Sequence, residues 1–131
     1  MAYDFVAEVD ERLSNAESVA ALVDCGVTNL AQETDGSIRA VFPRSGMGYF
    51  QRKPLAFHGS VRAPGVGQWK VGTVITFRLS GQRHEGWKAE LHEFLERLSR
   101  CTTASFVVSA ELEKLVAVRD ELGLRFLDNQ L

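Results

Sequence analysis

No run of about 18 apolar residues occurs in this 131-residue chain, so no membrane-spanning helix is expected. Met1 to Asp10 carry three carboxylates and no Lys or Arg. A secretory leader needs a basic start and then an apolar run, so a cytoplasmic location is expected. Only two cysteines are present, Cys25 and Cys101. Both are expected to be reduced, because a domain of this length builds a core without staples and a cytosolic thiol stays free. Cys-x-x-Cys, His-Glu-x-x-His, Gly-x-x-x-x-Gly-Lys and Gly-x-Gly-x-x-Gly are all missing. Those absences remove the usual signatures of metal, phosphate-loop and dinucleotide sites, and no metal or cofactor is expected.

The least ordinary absence is that of acid. Residues 36–84 contain no Asp or Glu, but carry Arg39, Arg44, Arg52, Lys53, Arg62, Lys70, Arg78 and Arg83. Residues 1–35 hold eight acids and one base, and residues 85–131 hold nine acids and six bases. The overall charge of −2 therefore conceals a basic middle between acidic flanks. Such sorting either neutralises acidic helices within one fold or presents a basic surface to an acidic partner.

Against these absences, one stretch stands out. Trp69, Val71, Thr73, Ile75, Phe77 and Leu79 alternate with Lys70, Gly72, Val74, Thr76 and Arg78. A period of two over this length, rich in β-branched and aromatic types, predicts a central strand over 69–79. Residues 2–9 form a further predicted strand. Ser14-Asn15-Ala16-Glu17 has capping-box form and opens a helix that Gly26 closes. Residues 27–43 read as a hairpin around Asp35-Gly36. A four-residue loop, with Ala31 opposite Ile38 and Val27 opposite Phe42, buries its apolar set best. Leu55 to Arg62 alternate as another strand, turned by Ala63 to Gly67 into the central one.

After Gly81 the period changes. Trp87, Leu91, Phe94, Leu95 and Leu98 mark an amphipathic helix over about 86–100, with Glu90, Glu93 and Glu96 directed to solvent. Ala104–Val108 reads as a strand covered on both sides. A third helix is expected from Ala110 to before Gly123, with Leu112, Leu115, Val116 and Leu122 inward, and then a short strand at 124–127 parallel to 104–108. The expected fold is a single α+β domain over 1–131. It has a mostly antiparallel sheet of five to seven strands, with three helices largely packed on one face.

Catalytic candidates are thin. Cys25 and Cys101 fall at predicted helix C-termini, where the dipole disfavours a thiolate. His58, His84 and His92 share no ligand spacing, and Asp4 and Asp10 stand apart. Gly46-Met47-Gly48 and Gly65-Val66-Gly67 do not lead into helices, so they read as turns rather than phosphate cradles. A non-enzymatic protein is therefore expected.

The loop 44–53 is the best binding candidate, because Arg44, Arg52 and Lys53 are interleaved with Met47, Tyr49 and Phe50. Arg and aromatic rings dominate interface hot spots, and the same mixture suits single-stranded nucleic acid. If Trp69 and Phe77 point inward, Arg62, Lys70, Arg78 and His58 point outward, and Arg39 joins them on one bare sheet face. The expected site is Arg44, Tyr49, Phe50, Arg52, Lys53, Arg62, Lys70 and Arg78. The expected partner is a protein with an acidic surface, met by a monomer or homodimer. The concrete version is an inhibitor or immunity-type protein that blocks a toxin or enzyme. A nucleic-acid-binding module and a small-ligand or enzyme domain with a pocket between helix 86–100 and the sheet are the alternatives; a whole-chain pI near 5.9 counts against nucleic acid.

Overall fold

A computed structural model describes residues 3–54, 60–63, 67–80, 85–111 and 114–127, with residues 60–63, 67 and 68 described by their backbone alone. The elements run β1 (Tyr3–Asp10), α1 (Asn15–Asp24), β2 (Thr28–Gln32), β3 (Ile38–Val41), β4 (Gly48–Arg52), β5 (Ser60–Ala63), β6 (Gly67–Leu79), α2 (Trp87–Cys101), β7 (Phe106–Ala110), β8 (Lys114–Asp120) and β9 (Gly123–Phe126). Eight strands form one antiparallel sheet in the order β2-β3-β4-β6-β1-β7-β8-β9, while β5 pairs only with the first part of β6. The α+β class holds. The strand count rises above five to seven, and the helices number two rather than three among the described residues.

The central position of β1 and β6 follows from their burial. Phe5, Ala7 and Val9 lie beside Phe77, Ile75 and Thr73 on one face, and Phe106, Val108 and Ala110 extend that face through β7. Leu91, Phe94, Leu95 and Leu98 of α2, with Ala21 and Leu22 of α1, cover it. At its centre Phe42, Tyr49, Phe77 and Phe94 meet edge to face or tilted, with centroids 5.3–6.4 Å apart. Such pairs add to simple burial because each positive ring edge meets a negative ring face. The helix–sheet pocket considered for a ligand is therefore occupied by rings.

Local chemistry sets the ends of α1. The Ser14 hydroxyl accepts from the Glu17 amide at 3.2 Å, and Glu17 Oε1 accepts from the Ser14 amide at 2.8 Å. Gly26 takes φ +71° past the C-terminus, the left-handed conformation that favours glycine. The hairpin that follows differs by one residue from the expected register. Thr28 does pair with Val41, but Ala31 meets Arg39 and Gln32 meets Ile38. A bulge near Asn29, whose φ is +53°, absorbs the shift and leaves five residues in the loop.

The third expected helix is a strand. β8 pairs with β7 on one side and with β9 on the other, both antiparallel, so the expected parallel pair is absent among the described residues. Glu111 and its neighbours favour a helix intrinsically, but Ala117-Val118-Arg119 pairs on both edges, and Val116, Ala117 and Val118 are buried, which gains more. Leu122, expected inside, is 81% exposed at the tip of the β8–β9 turn. The positive φ of Glu111 turns the chain between β7 and β8.

The central strand also departs from a straight alternation. Val9 pairs with Thr73 but Asp10 with Val71, so Gly72 is an extra residue. A Cβ there would lie 2.6 Å from the Glu11 Cα. Glycine thus admits a close backbone approach and a bulge. The bulge reverses the facing of what precedes it. Thr73 and Ile75 face the helices, while Val71 and Trp69 join Val6, Val74, Val107 and Val118 in a second cluster on the opposite face.

Candidate functional site

The sheet face away from the helices has two parts. Over β6, β1, β7 and β8 the second cluster is buried, with Trp69 and Leu115 packed against it. The expected bare face is therefore partly closed. Over β2, β3 and β4 a shallow depression of about 290 Å³ stays open, lined by Asn29, Ala31, Arg39, Ala40, Val41, Gly48 and Phe50.

Phe50 is 40% exposed there, one of few large apolar side chains left in solvent. It sits opposite Arg39 on β3 and Thr76 on β6. Its ring lies over Gly48, where a Cβ would come within 2.9 Å of the Phe50 Cε2. Glycine at 48 is what lets the ring lie flat along the strand.

Loop 44–53 is not a loop. Phe42 to Met47 form a tight turn closed by their own backbone bonds, and residues 48–52 are an interior strand between β3 and β6. Strand alternation divides the expected aromatic pair. Phe50 faces the depression, whereas Tyr49 is fully buried among the core rings and its hydroxyl donates to Gln51 Oε1 at 2.5 Å. Burial drives the Tyr49 phenol well above its usual pKa. Tyr49 is thus a core residue and leaves the site. Met47, also expected in the loop surface, is buried as well.

The cations are dispersed, and some of them are paired. Arg78 donates through Nε and Nη2 to both Asp4 oxygens, at 2.9 and 3.0 Å, and that carboxylate raises its pKa. Lys70 stands 4.0 Å from Glu11, both exposed. Arg39 Nη2 donates to Glu33 Oε1 at 2.6 Å. Arg52 donates to the Lys53 carbonyl at 3.1 Å, at the far end of β4 from Arg44. Arg62 is on β5, and its side chain lies outside the described residues, as do His58 and His84. The basic middle is therefore neutralised in part, by acids of β1 and the adjoining turns rather than by the helices. Of the expected set, the depression gathers Phe50, with Arg78 one strand away opposite Gly48.

Two carboxylates escaped the sequence reading. Glu90, expected in solvent, is buried and accepts from the amides of Arg44 at 2.8 Å and Ser45 at 3.0 Å. It ties the turn before β4 to α2. Asp10, expected to stand alone, accepts from Ser105 N at 2.7 Å and from Arg12 N, Nε and Nη2. Burial raises its pKa, but the Arg12 guanidinium and the two amides more than offset that and leave it lowered. Arg119 was also missed. Its guanidinium donates to the carbonyls of Ser99, Thr102, Thr103 and Ala104, so β8 caps the C-terminus of α2. Apart from the contacts of Asp10 with Arg12, two residues on, these are tertiary bonds, and no local pattern announces them.

Burial and Glu93 push the Cys25 thiol up to about 11. His92 stacks on Phe126 at 3.7 Å and stands 3.0 Å from Glu96. Among the described residues no group of three His, Cys, Asp or Glu could hold a metal ion, and no helix is long and apolar enough to cross a membrane. No family model, curated protein or solved structure matches the chain.

Proposed function

We propose that this chain is a small non-enzymatic binding protein that docks another protein through the open part of its sheet. An inhibitor or immunity-type protein that covers a toxin or enzyme is the concrete form. The observation that carries the reading is the exposed Phe50 in a depression whose lining has one charge, on Arg39. An aromatic ring and an arginine beside an apolar hollow are the usual anchors of a protein interface. The depression offers one cation, Arg39, beside an apolar surface, whereas a phosphate backbone is tracked by several, so nucleic acid gains no support from this geometry.

The test is to isolate the stoichiometric complex of the tagged full chain and to map amide exchange in it. Slowed exchange at residues 39–41 and 48–50, with the complex lost on Phe50→Ala, is the expected result. Complex formation that ignores Phe50→Ala and slows exchange on the helices would remove the sheet face from consideration. Nuclease-sensitive recovery would replace the protein partner with nucleic acid.

A further inference from the structure

From the edge beside this depression we infer that the partner presents an extended acidic segment, which adds to the sheet along β2. The inference rests on the docking reading above and specifies the shape and charge of what docks. β2 ends the sheet path and has no neighbour on its outer side among the described residues. Half of the backbone N–H and C=O groups of such a strand point away from the sheet, and an added strand satisfies them. Natural edges are blunted with Lys, Pro or bulges. Thr28-Asn29-Leu30-Ala31-Gln32 contains neither Lys nor Pro and no charge. The bulge falls between Thr28 and Ala31, leaving Ala31 and Gln32 in regular pairing with Arg39 and Ile38 of β3.

The depression opens beside this edge, floored by Ala31, Val41 and Gly48 with the Phe50 ring on its inner wall. A strand laid against β2 alternates its side chains, so every second one falls on this face. An apolar side chain seated there would cover Phe50. The only charged group in the lining is Arg39, and no acid lines the depression. Glu33 holds Nη2 of that guanidinium, and the rest of the planar fork remains for a second carboxylate. The match is therefore Asp or Glu near an aliphatic or aromatic side chain. A second copy pairing β2 with β2 would bring another Arg39 and a Glu33 already engaged by it, which is why a different chain is favoured.

The probe is a displayed library of random octapeptides, selected on the full chain with Phe50→Ala as counter-target. Enriched peptides should alternate an apolar residue with Asp or Glu and bind Arg39→Glu about tenfold more weakly. Amide exchange at residues 30–32 should slow at least tenfold on binding the matching synthetic peptide. Phe50 is exposed, and an unchanged melting curve for Phe50→Ala would verify that the counter-target is folded. Failure to enrich any peptide over Phe50→Ala overturns the inference, and so does a peptide that binds without slowing residues 30–32. A dimer in sedimentation with those same amides protected assigns the edge to a second copy and also overturns it. A folded partner that protects residues 39–41 and 48–50 but leaves 30–32 unchanged would remove the added strand while keeping the docking reading.

Discussion

On the face under the helices, rings and leucines from six elements interlock, with Phe94 of α2 placed against Phe42, Tyr49 and Phe77. On the other face the apolar cover is a band of valines, with Trp69 and Leu115 against them and an uncovered hollow at the β2 end. One strand serves both faces because Gly72 lets β6 change its facing partway along. Large side chains thus mark the face where helices complete the packing. Small β-branched ones mark the face that is closed only in part. What remains open there is open beside an edge strand, which is where an incoming chain can use it.

The largest expected effect falls on the helix face. Phe94→Ala should cost about 4 kcal/mol of unfolding free energy, since it removes a fully buried ring from the aromatic cluster. Urea unfolding measures it, and a loss under about 1 kcal/mol would mean that the two faces contribute alike. Gly72→Ala comes next, at about 3 kcal/mol, because the new Cβ meets the Glu11 backbone rather than a movable side chain. If the variant is as stable as the parent, the bend is not tied to the close approach.

Asp10→Asn should cost about 2 kcal/mol near neutral pH through lost charge-assisted bonds to Arg12 and Ser105. Because the folded carboxyl has a lowered pKa, its contribution is present above the ordinary value of about 4 and is lost as pH falls through the folded value. The difference between parent and variant in urea titrations should accordingly shrink toward pH 2. A constant difference would show that the stabilisation does not come from the ionised group. The smallest effect is that of Phe50→Ala, within about 0.5 kcal/mol of the parent by the same measurement, as befits an exposed side chain. A cost of several kcal/mol would place Phe50 in the core with Tyr49 and sink the contrast between the faces.

The periodic parts of this fold are legible in the chain. The alternation around Phe77, the capping box at Ser14 and the stripe from Trp87 to Leu98 each state a local preference that the packing keeps. The failures are where tertiary pairing outweighs local preference. Glu111 to Asp120 has a helical composition, yet Ala117, Val118 and Arg119 are held between two strands. Residues 44–53 look irregular because Gly46 and Gly48 interrupt the pattern, but the first serves a turn and the second makes room for Phe50. Half of the expected aromatic pair survives at the candidate site for the same reason: adjacent residues on a strand face opposite ways, so Phe50 and Tyr49 cannot both be presented. The cations could be counted from the chain, but their carboxylate partners come from distant strands and turns. Arg78 meets Asp4 only because β1 lies against β6.

The place of β1 bears on how the molecule comes to be folded. Its eight residues form the middle of the sheet, with Phe5 beside Phe77 on one side and Ala110 on the other. Almost every contact that holds it therefore joins distant points in the sequence. Closing such large loops costs entropy before any contact rewards it, which makes folding slow compared with a helical bundle of equal size. During synthesis β1 emerges well before either neighbour exists, and for that interval its apolar Phe5-Val6-Ala7 centre has nothing of its own chain to pair with. The acids at positions 4, 8 and 10, which later bond to Arg78, Arg12 and other groups, give the waiting strand a charge that discourages it from pairing with a second nascent copy.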